Sequence, residues 1–308
     1  MENYKYIYGP VPSRRLGLSL GVSPIPSRTC NYSCIYCQLG RTKHLTNERK
    51  NFFSVDDIIA ELEDYIKSNA KYDIITIVGE GEPTLFSQLG LLISKIKSIS
   101  NVPVAVITNG ALLSDENVRR ELLGADFVLP SIDASSVEMF KEINRPHGKI
   151  KFEAVLNGLI DFSKVFKGKI FIETMLIKGV NDQVAQLKAL KNILNKIDYD
   201  RLYINTTVRP PAEKQVEEPS LEALTNAVDI LKGISIEQLI STGFFSKEKD
   251  DYKAIKSIIQ RHPMNQFEIK SFLEERDCKS IEEVLEKLSK DPEIEINNYK
   301  TYNNYRIK

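Results

Sequence analysis

Short apolar runs rich in β-branched residues alternate with helical segments along most of the chain, and this alternation limits the possible folds more than any other feature. Ile74–Val78 is one such run, Ile-Ile-Thr-Ile-Val, and a glycine follows it directly. Continuous apolar runs are typical of parallel strands that helices cover on both faces. Strand and helix alternate about six times, which predicts an α/β fold, a partial parallel (β/α)6 barrel. The predicted strands are Leu16–Ile25, Ile74–Val78, Val102–Thr108, Phe127–Ile132, Ile170–Ile177, Leu202–Thr206 and Ile236–Ser241.

Amphipathic segments between these strands predict helices that pack on the outside of the barrel. In Val55–Ser68 the apolar side chains recur at helical spacing, and Ser54 in front of it is a typical N-cap residue. Polar residues at the carboxyl ends of barrel strands are then site candidates by geometry alone. The other predicted helices run from Ser114 to about Leu123, from Val184 to Lys196 and from Leu221 to Lys232.

The pattern changes after Gly243, where three short helices and a tyrosine-rich hairpin are predicted, with Asn265 as one helix cap. Their order resembles a winged helix. The chain is therefore predicted to divide into a barrel, residues 1–245, and a small winged-helix-like domain, residues 250–308. The three helices are Asp251–Arg261, Gln266–Glu275 and Ile281–Lys290.

Three of the four cysteines, Cys30, Cys34 and Cys37, lie in one short run, Cys-Asn-Tyr-Ser-Cys-Ile-Tyr-Cys. Thiolates are the soft ligands of iron–sulfur clusters, and three of them leave one iron of a [4Fe–4S] cube open for a small molecule. A structural zinc site normally has four ligands in two pairs, whereas the fourth cysteine, Cys278, lies far away in the C-terminal segment. Four cysteines in 308 residues also fit a reducing compartment better than a disulfide framework.

A glycine-rich motif, Gly-Glu-Gly-Glu-Pro-Thr, begins at Gly79 directly after a predicted strand. Glycines let backbone amides and carbonyls approach a bound ligand closely. The carboxylate of Glu82 can accept hydrogen bonds from an ammonium group. A plain glycine turn is the alternative, and the cysteine run earlier in the chain favours a ligand site.

These motifs resemble those of the radical S-adenosylmethionine (SAM) superfamily. The C-x3-C-x2-C spacing with Tyr36 before the last cysteine resembles its cluster motif, and Gly79–Pro83 resembles the Gly-Gly-Glu-Pro motif that holds the SAM amino group. Glu80 departs from that motif, since a small residue usually stands there. The resemblance implies one [4Fe–4S] cluster on the three cysteines, SAM on the open iron, and reductive cleavage of SAM to a 5′-deoxyadenosyl radical that takes hydrogen from a substrate. It assigns no catalytic side chain.

The same resemblance gives SAM contacts to polar residues that follow several predicted strands. Thr108-Asn109-Gly110 ends one strand, Pro-Ser-Ile-Asp-Ala ends the next, and Lys178–Asp182 resembles the segment beside the adenine. Helix capping or turn formation is the alternative for any single one of them. The cofactor-binding residues that the resemblance implies are Tyr36, Gly81, Glu82, Asn109, Ser131, Asp133 and Val180.

Two arginines beside prolines and one asparagine predict substrate contacts. Arg145 precedes Pro146 and Arg209 precedes Pro210, and arginine next to a rigid turn suits the binding of an anion. Asn205 lies just before Arg209, at the end of a predicted strand. A surface loop with an ordinary ion pair is the alternative for each arginine.

The N-terminal run Tyr8–Arg15 resembles the opening of a subgroup that includes relatives of the archaeal wyosine-base synthases, which remodel a tRNA guanine; the resemblance covers about residues 6–215. Those synthases carry extra cysteines for a second cluster. This chain has none near its N-terminus, so one cluster is predicted. RNA modification, with a tRNA base as substrate, is the first hypothesis. Radical modification of a peptide, protein or small metabolite is the alternative, and a non-catalytic iron–sulfur sensor is the third.

Charge bears on the partners. The chain has 42 basic and 42 acidic residues, and positions 250–308 have 11 basic and 12 acidic ones. A duplex-reading domain is usually basic, which argues against DNA and leaves RNA or protein as the substrate docked by the C-terminal domain. With no bilayer-spanning apolar run and no signal-peptide core, a cytoplasmic protein without membrane contact is expected. The resemblance also implies a reductant such as flavodoxin or ferredoxin.

Overall fold

The computed structural model describes residues 4–68, 71–236, 244, 246, 248–299 and 302–308. The strands are, in chain order, β1 (Ile7–Ser13), β2 (Gly17–Val22), β3 (Thr29–Cys30), β4 (His44–Leu45), β5 (Ile74–Ile77), β6 (Val104–Thr108), β7 (Phe127–Pro130), β8 (Lys169–Met175), β9 (Arg201–Asn205), β10 (Ile234–Ser235), β11 (Met264–Asn265), β12 (Ile294–Tyr299) and β13 (Tyr302–Ile307). The α-helices are α1 (Val55–Ile66), α2 (Leu89–Ile99), α3 (Glu116–Leu122), α4 (Val137–Ile143), α5 (Phe152–Val165), α6 (Val184–Leu194), α7 (Leu221–Leu231), α8 (Asp251–Ile259), α9 (Gln266–Glu275) and α10 (Ile281–Lys290).

Eight strands in the described part of the chain form the main sheet, in the order β1, β2, β5, β6, β7, β8, β9, β10. β1 is antiparallel to β2, and every neighbouring pair from β2 to β10 is parallel. The carboxyl ends of the parallel strands therefore lie at one edge of the sheet, where loops can build a site. This mostly parallel sheet confirms the predicted α/β class and is typical of a partial barrel.

The edge strand β1 was not predicted, because its sequence is interrupted by Gly9, Pro10 and Pro12. Proline cannot donate a hydrogen bond to a sheet and is confined to edge strands and bulges. β1 satisfies this condition, since it lies at the edge of the sheet and its register with β2 shifts between Tyr8 and Val11. The prolines that confine β1 to the sheet edge also weaken its sequence signal for a strand.

Side chains of the parallel strands are buried on both faces of the sheet, which explains their continuous apolar sequences. One residue from each of five strands contributes to a cluster on one face, and the neighbouring residues in sequence, such as Ile75 and Val128, join the larger core that the helices share. The alternation has the period of two expected for strands. The five residues of the smaller cluster are Ile74, Ala105, Leu129, Phe171 and Tyr203.

The helix starts follow capping chemistry, with one difference from the prediction. Ser54 caps α1 and accepts a hydrogen bond from the Asp57 amide at 3.3 Å, as predicted. Ser114 does not start α3, because it ends a short 3-10 turn. Asp115 caps α3 instead and accepts from the Asn117 amide at 2.9 Å. An aspartate one residue later offers the same oxygen acceptor in the required extended conformation.

The C-terminal segment contains α8, α9 and α10 and a three-stranded antiparallel sheet in the order β11, β13, β12. All three helices and the hairpin were predicted, and Asn265 caps α9 in a reciprocal capping box with Glu268. Apolar side chains of this segment share a cluster with Tyr8 and Val11 of β1, so the segment packs on the edge of the main sheet. Its assignment as a winged helix stays a prediction, as do the domain bounds.

One predicted strand, Ile236–Ser241, falls mostly outside the described residues. The structure has β10 at Ile234–Ser235, directly before it and parallel to β9. Across the described ranges, none of the helices is both long enough and apolar enough to cross a bilayer.

Candidate metal centre and cofactor site

The cysteine loop leaves the sheet region at Cys30, the last residue of β3. Its backbone is held by the segment that follows α4. The Ser33 amide donates to the Asn144 carbonyl at 3.0 Å, and the Ile35 amide donates to the Ile143 carbonyl at 2.9 Å. The loop therefore has a fixed shape given by a distant part of the chain, as a preorganised ligand site requires.

Two asparagine side chains point at the cysteine sulfurs. The Asn109 Nδ2 atom lies 3.7 Å from the sulfur of Cys30, and the Asn144 Nδ2 atom lies 3.6 Å from the sulfur of Cys34. All four cysteines of the chain are free thiols. Hydrogen bonds to sulfur orient cluster ligands and tune cluster potentials, so these amides fit the surroundings of an iron–sulfur centre.

Burial raises the pKa of all three loop thiols, and the carboxylates of Glu82 and Asp133 raise the pKa of Cys30 and Cys34 further. Without a bound cation these thiols are protonated, so binding of a metal centre must displace their protons. Among the described residues, no three His, Cys, Asp or Glu side chains approach closely enough to share one metal ion. A cube binds each cysteine through a different iron, so its ligands stand farther apart than those of a single zinc ion.

The carboxylate of Glu82 lies at the end of the glycine-rich loop and is 2% exposed. It accepts hydrogen bonds from the Thr84 amide at 3.0 Å and from the Thr84 hydroxyl at 2.5 Å. It also accepts from the Thr108 hydroxyl at 2.6 Å and from the Asn109 amide at 2.7 Å. Burial raises the pKa of Glu82, and these four hydrogen bonds oppose that shift. Glu82 thus ties the loop after β5 to the end of β6.

Close packing explains the glycines of this loop. A Cβ atom on Gly81 would lie 1.8 Å from the carbonyl oxygen of Thr29, and one on Gly79 would lie 2.6 Å from the Ile25 side chain. The Glu82 amide donates to the same Thr29 carbonyl at 3.1 Å. The loop therefore lies directly against the residue that precedes Cys30, which only glycine allows.

Asp133 is the corresponding anchor after β7. Its carboxylate accepts from the Tyr36 hydroxyl at 2.5 Å, from the Asn144 side chain at 2.7 Å and from the Met175 amide at 2.8 Å. The side chain of Asn181 donates to the Asp133 carbonyl at 2.9 Å. Burial raises the pKa of Asp133, and the three hydrogen bonds to its carboxylate oppose the shift. Asp133 therefore joins the cysteine loop to the ends of two strands.

The remaining predicted cofactor contacts lie at the same edge of the sheet. The Ser131 amide, just after β7, donates to the carbonyl of Thr108 at 3.2 Å. Val180 packs in a small cluster with Ile35 and Tyr36 of the cysteine loop. The structure thus places the seven predicted residues at the same edge of the sheet as the cysteine loop, and their contacts with SAM stay a prediction.

Of the predicted substrate contacts, Arg145 forms the ordinary ion pair that was its alternative. Its guanidinium pairs with Glu213, which also pairs with Arg41 at 2.9 Å. The amide of Glu213 donates to the Ile35 carbonyl at 3.0 Å. Glu213 and its two arginine partners therefore help to hold the cysteine loop in place. The two arginines lower the pKa of Glu213, which keeps the pairs ionised at neutral pH.

Asn205 lies inside a polar group that the sequence did not reveal. Its Nδ2 atom donates to Glu173 at 3.2 Å, and Arg15 forms an ion pair with the same carboxylate. Glu173 is 8% exposed and lies on β8, on the same face as Phe171. The available signal was a single charged residue inside the apolar run Ile170–Ile177.

Arg209 contacts the C-terminal segment. Its Nε atom donates to the carbonyl of Pro263 at 2.6 Å, and its Nη2 atom lies 2.7 Å from Nε2 of His262. Burial and the nearby arginines Arg209, Arg15 and Arg14 hold the pKa of His262 well below its usual range, so the neutral ring accepts this hydrogen bond. Arg209 therefore connects the loop after β9 to the C-terminal segment.

Comparison with known proteins agrees with this site. The model of the radical SAM superfamily matches residues 24–190, more than half of the chain. A UPF0026 protein of Methanocaldococcus jannaschii is 35% identical over 277 residues, which cover 86% of this chain and 85% of that protein. The chain belongs to the radical SAM superfamily, in the UPF0026 family. Its cofactors are a [4Fe–4S] cluster and SAM, with Cys30, Cys34 and Cys37 as the CxxxCxxC motif.

Other relatives are more distant or match in part. GTPase Obg of Brachyspira hyodysenteriae is 43% identical over 72% of this chain, which spans only 33% of that protein's length. A probable dual-specificity RNA methyltransferase RlmN of Thermotoga petrophila is 24% identical over 68% of this chain and 60% of that protein. A solved structure of TYW1 with a lysine-pyruvate adduct bound has a TM-score of 0.54 at 20% identity and covers 70% of this chain and 72% of that one. This likeness shows the fold.

Membership of the superfamily sets aside the sensor hypothesis, because the chain is a radical SAM enzyme. The donors fit a three-cysteine cluster, since the amides of Asn109 and Asn144 already point at two of the sulfurs. The three predicted substrate contacts, Arg145, Asn205 and Arg209, all have partners within the protein. Glu173 and Arg15 are additions from the structure.

Replacing Glu82 with alanine is expected to weaken SAM binding. The substitution removes the acceptor of four hydrogen bonds, which releases the loop from the end of β6, and loss of a charge-assisted contact costs about 1.5–3 kcal/mol. The measurement is the dissociation constant of SAM on anaerobically reconstituted protein. Glu116→Ala is the matched control, because Glu116 is exposed and pairs with Arg120 at the surface of α3. Equal SAM affinity of wild type and Glu82→Ala would refute the role of this carboxylate.

Proposed function

We propose that this radical SAM enzyme modifies a base of tRNA. One observation carries the chemistry: the three-cysteine loop contacts Asp133 through Tyr36, and Asn109 joins Cys30 to Glu82, at the carboxyl edge of a parallel sheet. When bound, the cluster and SAM supply a 5′-deoxyadenosyl radical that takes a hydrogen atom from the substrate. A flavodoxin or ferredoxin of the cytoplasm supplies the electron.

The polar group on β8 supports a nucleobase as the substrate. Arg15, Glu173 and Asn205 combine a guanidinium, a carboxylate and an amide on the inner face of the sheet. These are the side chains that form paired hydrogen bonds with base edges. A base that leaves its stack can be read in this way in a protein pocket. The similarity to an RNA methyltransferase, although only 24% identical, points in the same direction.

The C-terminal charge favours a second candidate, a peptide, protein or small metabolite. RNA binding gains most of its affinity from basic surfaces, and positions 250–308 have 11 basic against 12 acidic residues. α10 begins with Glu282 and Glu283 in its first turn. A tRNA must therefore gain its affinity mainly from the barrel, whereas a protein substrate could dock on the C-terminal segment itself.

Anaerobic incubation with SAM, dithionite and separate host RNA and protein fractions tests the proposal. Mass spectrometry of nucleosides and tryptic peptides is expected to show a mass change in the tRNA fraction only. A Glu173→Gln variant is expected to lose this product while it still releases 5′-deoxyadenosine, because the Glu173 carboxylate contacts Arg15 and Asn205 rather than a residue of the cysteine loop. A change confined to the protein fraction would overturn the RNA assignment in favour of the second candidate.

A further inference from the structure

Glu80 is the residue that departs from the superfamily motif, and the structure gives it a partner. It lies between Gly79 and Gly81 in the glycine-rich loop and is 4% exposed. Its Oε1 atom lies 3.2 Å from Nε of Arg261, just beyond α8 in the C-terminal segment, and both side chains are 5% exposed. A residue of the glycine-rich loop is thus paired with a residue 181 positions further along the chain.

Arg261 is fixed by two other parts of the molecule. Its Nη2 atom donates to the Lys5 carbonyl at 2.7 Å, and its guanidinium lies over the ring of Tyr8, 5.1 Å from the centroid. Burial raises the pKa of Glu80, and Arg261 opposes the shift. The Nε and Oε1 atoms do not form a well-directed hydrogen bond, so charge attraction holds the pair. Ser27 and Gln260 also hydrogen-bond to the Glu80 carboxylate, but removing Arg261 would take away the largest opposing charge from a buried carboxylate, which is costly.

The backbone of Glu80 contacts the segment before Cys30 and directly precedes Gly81 and Glu82, so movement of Glu80 would affect both the cysteine loop and the Glu82 anchor. The amide of Arg28 donates to the Glu80 carbonyl at 2.5 Å, two residues before Cys30. On its other side, the backbone of Gly81 lies against the carbonyl of Thr29, and Glu82 follows. Because this packing leaves no free space, a shift of the Glu80 backbone must displace the cysteine loop or the Glu82 anchor.

We propose that Arg261 is a positioning residue for the SAM site. Through Glu80 it holds the glycine-rich loop against the cysteine loop, so that the C-terminal segment sets the affinity for SAM. This inference rests on the assignment of SAM to the loop that carries Glu82. It also gives the C-terminal segment a role in cofactor binding, whichever substrate the enzyme uses.

The ordinary alternative is a buried ion pair that only joins the C-terminal segment to the barrel. The two roles differ in one respect. A purely structural pair affects thermal stability and leaves the SAM site of the folded protein unchanged, whereas a positioning pair also changes SAM affinity. Binding and stability must therefore be measured on the same samples.

The test is a double-mutant cycle on anaerobically reconstituted full-length protein, with SAM dissociation constants, iron content and melting temperatures. Arg261→Gln and Glu80→Gln are each expected to weaken SAM binding about tenfold with unchanged iron content, as loss of a supporting contact does. The double variant is expected to match the single variants, because both remove the same coupling. Arg261→Lys keeps the charge and is expected to bind SAM almost as wild type does. Glu80→Gln breaks the same pair and keeps the test valid if Arg261→Gln fails to fold.

Arg276→Gln is the matched control. Arg276 also belongs to the C-terminal segment and forms a half-buried ion pair with Asp251 at 2.7 Å, so its loss is expected to affect the melting temperature only. Wild-type affinity for SAM in folded Arg261→Gln, or losses that simply add in the double variant, would overturn the inference. Absence of SAM binding in the wild type would instead refute the SAM assignment itself.

Discussion

Alanine in place of Cys30, Cys34 or Cys37 is expected to abolish the iron–sulfur cluster. A [4Fe–4S] cube on three cysteines has no spare protein ligand, so each loss removes one of three anchors. Anaerobic reconstitution is expected to give about four irons and four sulfides per wild-type chain, and close to none in the three variants. Iron and sulfide analysis, together with the broad visible absorption of the cluster, provides the measurement.

Cys278→Ala is the control for this prediction. Cys278 lies in the C-terminal segment, where it packs beside the cluster of apolar side chains that includes Leu273. Its amide donates to the Leu273 carbonyl at 3.0 Å, a contact that alanine keeps. The variant is therefore expected to keep the full iron content. Loss of iron there, or a full cluster in any of the three loop variants, would show that the ligand set is wrong.

Removal of the C-terminal segment by ending the chain at Lys249 is expected to destabilise the barrel severely. The sequence predicts the opposite, a separable C-terminal module whose removal leaves a folded barrel that holds its cluster, with packing of the segment against the barrel as the alternative. The structure instead shows Tyr8 and Val11 of β1, 7% and 8% exposed, sharing an apolar cluster with Ile255 and Ile258 of α8. Exposing two such side chains costs about 3–6 kcal/mol, a large part of a typical domain stability of about 5–15 kcal/mol.

Soluble yield, size-exclusion chromatography and thermal melting compare the shortened and full-length chains. The shortened chain is expected to aggregate or to melt well below the full-length chain, because it exposes an apolar patch on an edge strand. Phe267→Ala provides a control within the segment, since Phe267 is 61% exposed and is expected to leave the melting temperature nearly unchanged. A shortened chain that is soluble, equally stable and able to hold its cluster would contradict the integral packing.

Local signals account for the parts of the fold that could be predicted. α1 and α7 begin with serine caps that accept backbone hydrogen bonds, and both were predicted. α2 and α5 begin after Gln88 and Lys151, whose side chains make no capping hydrogen bond, and both were missed. Capping does not decide the outcome alone, because α4 begins after the capping residue Ser136 and was also missed, and α6 was predicted although Gln183 makes no capping hydrogen bond. α2 and α5 are stabilised by the apolar faces that they bury.

In the candidate site, too, local motifs could be predicted and contacts between distant residues could not. The spacing of the three cysteines and the glycine-rich motif are local patterns, so they predicted the cluster and, through their resemblance to radical SAM motifs, the SAM chemistry. The pairs Glu80–Arg261 and Arg15–Glu173 join residues more than 150 positions apart. No periodicity or motif connects such residues, because only the folded topology brings them together. The residues with the most informative partners were therefore the ones that the sequence could not interpret.

The most direct test of the central assignment is the release of 5′-deoxyadenosine. Reconstituted wild-type protein, incubated anaerobically with SAM and dithionite, is expected to form 5′-deoxyadenosine and methionine, slowly in the absence of substrate. Liquid chromatography with mass spectrometry quantifies both products, and Cys37→Ala is expected to form neither. A wild-type protein that holds a complete [4Fe–4S] cluster and binds SAM, yet forms no 5′-deoxyadenosine under these conditions, would contradict the assignment as a radical SAM enzyme.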